Sequence, residues 1–123
     1  MKKDSLNFEI KFYEKLVRGK RDFVDALIPL AEAYTRKGQY EKGLRIDRRL
    51  SKLLKDDDIV HYNLACSLAL VGREKQALAA LKKAIRLGYD DLRHLKRDPD
   101  LKSLHSHPEF IKLFKRTRKK KTA

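Results

Sequence analysis

The chain contains no tryptophan, a single cysteine (Cys66) and only three prolines in 123 residues. A lone thiol excludes an intrachain disulfide and any metal site built from several cysteines, and it fits a reducing compartment. No run approaches the roughly 18 consecutive apolar residues of a membrane-spanning helix. Met-Lys-Lys at the start is followed by Asp4, Asn7 and Glu9 rather than by an apolar signal core, so a soluble cytoplasmic protein is expected. Acidic side chains are scarce: 17 Asp and Glu stand against 31 Lys and Arg, a formal charge of +14. That excess favours encounters with nucleic acid, an anionic membrane surface or an acidic protein.

Arrangements that would carry bond chemistry are missing as well. His61, His94, His105 and His107 are scattered, and His105-Ser-His107 has the wrong spacing for two metal ligands on one helical face. His61 and Cys66 fall five apart on one helix and point away from each other. The Asp56-Asp57-Asp58 run lacks the Gly-containing loop of a calcium site and suits a helix N-terminus instead. Gly19, Gly38 and Gly72 stand in turns without the Gly-x-x-x-x-Gly-Lys pattern that cradles phosphate. The expectation is a protein that is not an enzyme and holds no metal or cofactor.

What the chain does have is helical periodicity. Hydrophobic residues make up 41% and charged residues 39%, a balance suited to thin helical layers with much surface. A leading helix over residues 7–18 carries Phe8, Ile10, Phe12, Tyr13, Leu16 and Val17, and Gly19 stops it. The next runs over 23–37, capped by Asp22, with Pro29 inside it predicting a kink or a late start. Helices over 40–54, 59–71 and 74–87 follow, with turns at Gly38 and Gly72 and an end at Gly88. Asp98-Pro99-Asp100-Leu101 reads as a capped turn, and Pro108 opens a last helix carrying Phe110, Ile111, Leu113 and Phe114.

Two stretches superimpose at an offset of 34 residues: Leu27, Leu30, Ala31, Tyr34, Gly38, Gly43 and Leu44 on His61, Leu64, Ala65, Leu68, Gly72, Ala77 and Leu78. Ile10, Leu44 and Leu78 extend the period backwards, as do Leu16, Leu50 and Ala84, so the leading helix matches the second half of a repeat. Past Gly88 the apolar spacing fails. A helix–turn–helix unit of this length buries its apolar faces only against neighbouring units. The expected fold is all-α: about two full repeats (24–57 and 58–91) behind a half-repeat helix, closed by an irregular cap over 90–118, all in one domain (5–118) ahead of a basic tail (119–123).

This pattern resembles the tetratricopeptide repeat family, whose signature places an aromatic, Leu-Gly, Tyr, Ala, Phe and Pro at fixed offsets. Leu27, Leu30-Ala31, Tyr34, Gly43, Asp47 and Lys55 occupy those places in the first repeat. His61, Leu64-Ala65, Leu68, Ala77, Leu81 and Tyr89 occupy them in the second. The Trp and the terminal Pro are missing. The resemblance implies a right-handed α-solenoid of antiparallel helix pairs whose first helices line a concave groove. Carried over residue by residue, that groove holds Asp25, Ile28, Glu32 and Arg36 from the first repeat and Ile59, Tyr62, Asn63 and Cys66 from the second. Arg93, Lys96 and Arg97 come from the irregular third. Ile28 and Glu32 stand where a chaperone-tail clamp needs Lys and Asn, so that ligand is excluded.

The function this implies is a non-catalytic scaffold that binds a peptide or helix of a protein partner, one with acidic segments given the net charge. A second reading uses the tail cations Lys112, Lys115, Arg116, Arg118, Lys119, Lys120 and Lys121 to contact nucleic acid or the ribosome; about six neutralised phosphates would make such binding steeply salt-dependent. A third is self-association into a homo-oligomer through Phe8, Phe12 and Tyr13 on the partnerless leading helix.

Overall fold

The computed structural model describes residues 2–113 and 115. Phe114 and the tail residues Arg116, Arg118, Lys119, Lys120 and Lys121 lie outside the described residues. The apolar stripes fold as α1 (Lys2–Gly19), α2 (Val24–Lys37), α3 (Tyr40–Leu53), α4 (Asp58–Leu70), α5 (Glu74–Arg86) and a short α6 (Leu92–Arg97). A 3-10 segment (Pro99–Leu104) follows, and residues 108–113 are helical again, starting at Pro108 as expected. No strand occurs among the described residues, so the fold is all-α. The described residues form two compact units that divide after Lys55.

Helix starts keep the period. α2, α4 and α6 begin at residues 24, 58 and 92, and α3 and α5 at 40 and 74, a constant step of 34. The turns repeat too. After α2, the amides of Gly38 and Gln39 bond back to the carbonyls of Thr35 and Tyr34 (3.0 and 2.9 Å). After α4, Gly72 and Arg73 do the same to Ala69 and Leu68 (3.0 and 2.9 Å). The turn requires φ of +85° at Gly38 and +82° at Gly72, which residues with a Cβ avoid. The start of α6 corrects the expectation that the period fails past Gly88. Asp91 caps α6 by accepting from the His94 amide (3.0 Å), just as Asp57 caps α4 by accepting from Val60 (3.1 Å). Only the length differs, because Asp98-Pro99 ends α6 after six residues.

In the first unit, α1 and α3 both pack on α2. Leu27, Leu30 and Ala33 of α2 are buried with Ile10 of α1 and Leu44, Ile46 and Leu50 of α3. Each large side chain so buried contributes about 1.5–3 kcal/mol. The approach of α3 to α2 is close: a Cβ on Gly43 would sit 3.1 Å from Thr35 Oγ1. Tyr34 donates its hydroxyl to Glu14, and burial with that acceptor pushes its ionisation well above the usual phenol range. Arg36 pairs with Glu9 at 3.3 Å near the surface. Three local expectations are corrected. α1 starts at Lys2, five residues ahead of the expected 7, and α2 starts at Val24 and runs on through Pro29. The proline therefore removes one early hydrogen bond, to Asp25, without delaying the helix. Asp22 lies in the turn and does not cap; Phe23 is the N-cap, with no side-chain bond.

In the second unit, α4 is packed against α5 and against the 3-10 segment. Val60, His61, Tyr62, Ala65, Cys66, Ser67, Leu68 and Ala69 are all buried, nearly the whole circumference of the helix. Leu81 of α5, Leu95 of α6, and Leu101 and Leu104 of the 3-10 segment are among the most deeply buried side chains. Phe110 and Leu113 close the core, while Ile111 stays exposed.

Candidate functional site

The residues expected to form one groove divide into two sets with opposite surroundings. On α2, Asp25, Ile28, Glu32 and Arg36 line up at intervals of three or four residues, which sets them along one face of the helix. Ile28, 43% exposed, is the apolar member between two carboxylates, and Arg36 leans on Glu9.

On α4 the positions 34 residues on from Ile28 and Glu32 are Tyr62 and Cys66, and both are buried. They do not offer the exposed side chains expected of groove residues: Asp98, at the end of α6, lies against them. Tyr62 donates its hydroxyl to Asp98 Oδ2 at 2.7 Å, and the Cys66 thiol donates to the same oxygen at 3.6 Å. Asp98 Oδ1 accepts from the Asp100 amide at 3.0 Å and so caps the 3-10 segment. His94 Nε2 stands 3.2 Å from Asp98 Oδ2, an ion pair whenever the ring is protonated. The Tyr62 ring stacks on Tyr89, with centroids 4.3 Å apart and planes 11° apart, and tilts toward His94. Ile59 is 51% exposed on α4, and Asn63 is exposed beside it, as are Arg93, Lys96 and Arg97 around α6.

The electrostatics of this cluster are those of a closed polar core. Burial, then the neighbouring Asp98 and Asp100 carboxylates, push the Cys66 thiol well above its ordinary range. It is the reverse of the electropositive setting that activates a cysteine nucleophile. Tyr62 is raised strongly, first by burial, and Tyr89 is pushed up to about 12, also chiefly by burial. Ligand-type atoms of Cys66, Asp98 and Asp100 lie within 4.8 Å of one another. Both Asp98 oxygens are already engaged by donors of the chain, so the grouping is accounted for by its own hydrogen bonds.

Asp100 yields a pH-dependent prediction. Burial, then Asp98, raise its carboxyl above the ordinary value of 3.8, while His94 opposes the shift. A raised folded-state value means the folded chain holds the proton more tightly than the unfolded chain. Its contribution is therefore complete below the unfolded value and is lost as pH rises through the folded one. Asp100→Asn should stabilise the protein at neutral pH and lose that advantage at acid pH below the ordinary carboxyl value of 3.8. Urea midpoints at the two pH values measure this; a variant less stable than wild type at neutral pH would contradict it.

Asp98, Tyr89 and His94 were not legible in the sequence as partners of Tyr62. The nearest signal was Asp98 before Pro99, which reads only as a cap. A residue 36 positions from its partner leaves no local pattern.

No protein-family profile matches the chain. It is 28% identical over 88 residues to a chloroplastic protein of Arabidopsis thaliana, an alignment covering 67% of this chain and 25% of that protein. The chain thus spans about a quarter of that relative's length.

Proposed function

We propose that the protein is a non-catalytic scaffold of tetratricopeptide type that binds a segment of a partner protein along the exposed face of α2. The observation that carries this reading is the contrast between two faces 34 residues apart. On α4 the face is closed by the chain's own 3-10 segment through Asp98, whereas on α2 the equivalent Ile28 is open. The chain thereby illustrates how such a face is filled: a short segment lies on it and offers one polar anchor. On α2 the complementary segment would set an apolar side chain on Ile28 and cations opposite Asp25 and Glu32. The constant step of the helix starts supports the repeat reading, that of a right-handed solenoid of helix pairs.

Phe8, 73% exposed, and Phe12, 52% exposed, favour a second reading, self-association through α1.

Selection from a displayed peptide library, followed by amide exchange on the complex, separates the two. Protection is expected on α2. Ile28→Asp with Glu32→Lys should weaken the selected peptides by at least about tenfold, the effect of losing one buried anchor. Phe8→Asp should leave them unchanged. Peptides that bind the Ile28 variant as well as wild type, or that protect α1 instead, would sink the α2 assignment. Tyr62 is unsuitable for such a test, since it belongs to the core and its removal would disturb folding.

A further inference from the structure

The outward face of α3 carries a row of cations that the protein-binding reading leaves unused. Lys42, Arg45, Arg49 and Lys52 follow one another at intervals of three or four residues. At 100° per residue they fall within a sector of about 80°, and they span about 15 Å along the helix. Lys42, Arg45 and Lys52 are exposed and Arg49 is half-buried. None of the four takes part in an ion pair among the described residues. The acids of α3 do not interrupt the row: Glu41 sits in the first turn and Asp47 is buried.

Some cations on other helices do find acids. Arg36 of α2 has Glu9, and Lys82 of α5 has Glu109. Along α3 each neighbouring pair in the row is like-charged at a spacing where side chains meet, an arrangement that destabilises an isolated helix. Arg49 also extends the row sideways. Its Nη1 donates to the Arg21 carbonyl at 3.5 Å, which joins the row to Lys20 and Arg21 in the exposed turn between α1 and α2.

We propose that this row on α3, with Lys20 and Arg21, is a docking surface for the phosphodiester backbone of a nucleic acid. A line of regularly spaced cations matches a line of regularly spaced phosphates, and the two guanidinium groups at its centre offer forked donors suited to phosphate oxygens. Leu53, 37% exposed beside Lys52, is a single apolar side chain and too little to enter a membrane. The rings nearest the cations, Phe23 under Lys20 and Tyr34 under Lys42, are not exposed, so neither is free to stack on bases and the contact is to the backbone. These residues are other than the tail cations, and they add a polyanion contact to the protein-binding face of α2.

The test uses the full chain and two variants. One replaces Lys42, Arg45, Arg49 and Lys52 with Gln; the other replaces Arg116, Arg118, Lys119, Lys120 and Lys121 with Gln. Binding to a labelled duplex and to a single strand of equal length is titrated from about 50 to about 200 mM salt. Each phosphate that is no longer neutralised reduces the slope of log K against log salt by about 0.9 on duplex DNA and about 0.7 on a single strand. The α3 variant should therefore lose about 3 from its slope on whichever form is bound, and the tail variant should retain that component. Circular dichroism should show the α3 variant at least as helical as wild type, since the repulsion along the row is relieved. An α3 variant with the wild-type slope would overturn the proposal. So would a polyglutamate of matched charge that binds better than either nucleic acid, which would make the row a site for an acidic protein.

Discussion

Asp98→Ala should destabilise the second unit by about 3 kcal/mol, because it leaves the buried Tyr62 hydroxyl without an acceptor and removes the cap of the 3-10 segment. The side chain accepts from Tyr62, Cys66 and the Asp100 amide at once, and it is buried. Deleting one member of such a network costs more than the bond itself, since a desolvated donor remains. Tyr62→Phe, which removes the donor together with its need, should cost only about 1 kcal/mol. The double variant should then cost less than the sum of the two, because the orphaned hydroxyl is gone. Urea unfolding of wild type, both single variants and the double variant measures the coupling. Strict additivity would show that the Tyr62–Asp98 bond contributes nothing.

The second large effect is expected at Leu101, which is fully buried where the 3-10 segment packs on α4. Leu101→Ala should cost about 2–5 kcal/mol, the range for an unfilled leucine cavity. More telling is where the loss falls. Cys66 is the chain's one thiol and is buried beneath Asp98, so its reaction with a disulfide reagent reports how often that segment lifts. Leu101→Ala should accelerate Cys66 labelling under native conditions more than Leu27→Ala, a substitution of the same chemistry in the first unit. Equal labelling rates in the two variants would mean that the segment does not guard α4 by itself.

Much of the helical layout was legible in the residues. The pairing of Leu27 with His61 and of Gly38 with Gly72 located the helix pairs and their turns, and Pro108 marked the last helical stretch. These are local signals: an apolar stripe at 3.6-residue period and a turn that needs positive φ are written within a few neighbours. Where local rules compete, the outcome departs from the simplest of them. Asp22 offers a good cap, yet the chain turns through it and starts α2 one residue later, at the expense of a side-chain bond. Pro29 predicts disruption, but near the N-terminus of α2 it removes a single amide partner.

Periodicity put Ile28 and Tyr62 in equivalent places, and the sequence alone left open whether that face is exposed or filled by the chain's own C-terminal part. Their fates differ because a segment from beyond Leu95 returns to α4 and brings a carboxylate to Tyr62. The row on α3 was present in the sequence as well, but its charges blended into the overall excess until burial of Asp47 left the exposed face without an acid in the row.

By itself, then, the sequence determined an all-α chain with a 34-residue period, its helix pairs, its glycine turns and its positive charge, since each of these depends on neighbours within one or two turns. Only the tertiary structure decided which of two equivalent faces is closed, and that Asp98 completes the core around Tyr62. Those outcomes depend on contacts between residues more than 30 positions apart, where matching local patterns carry no information about which partner arrives.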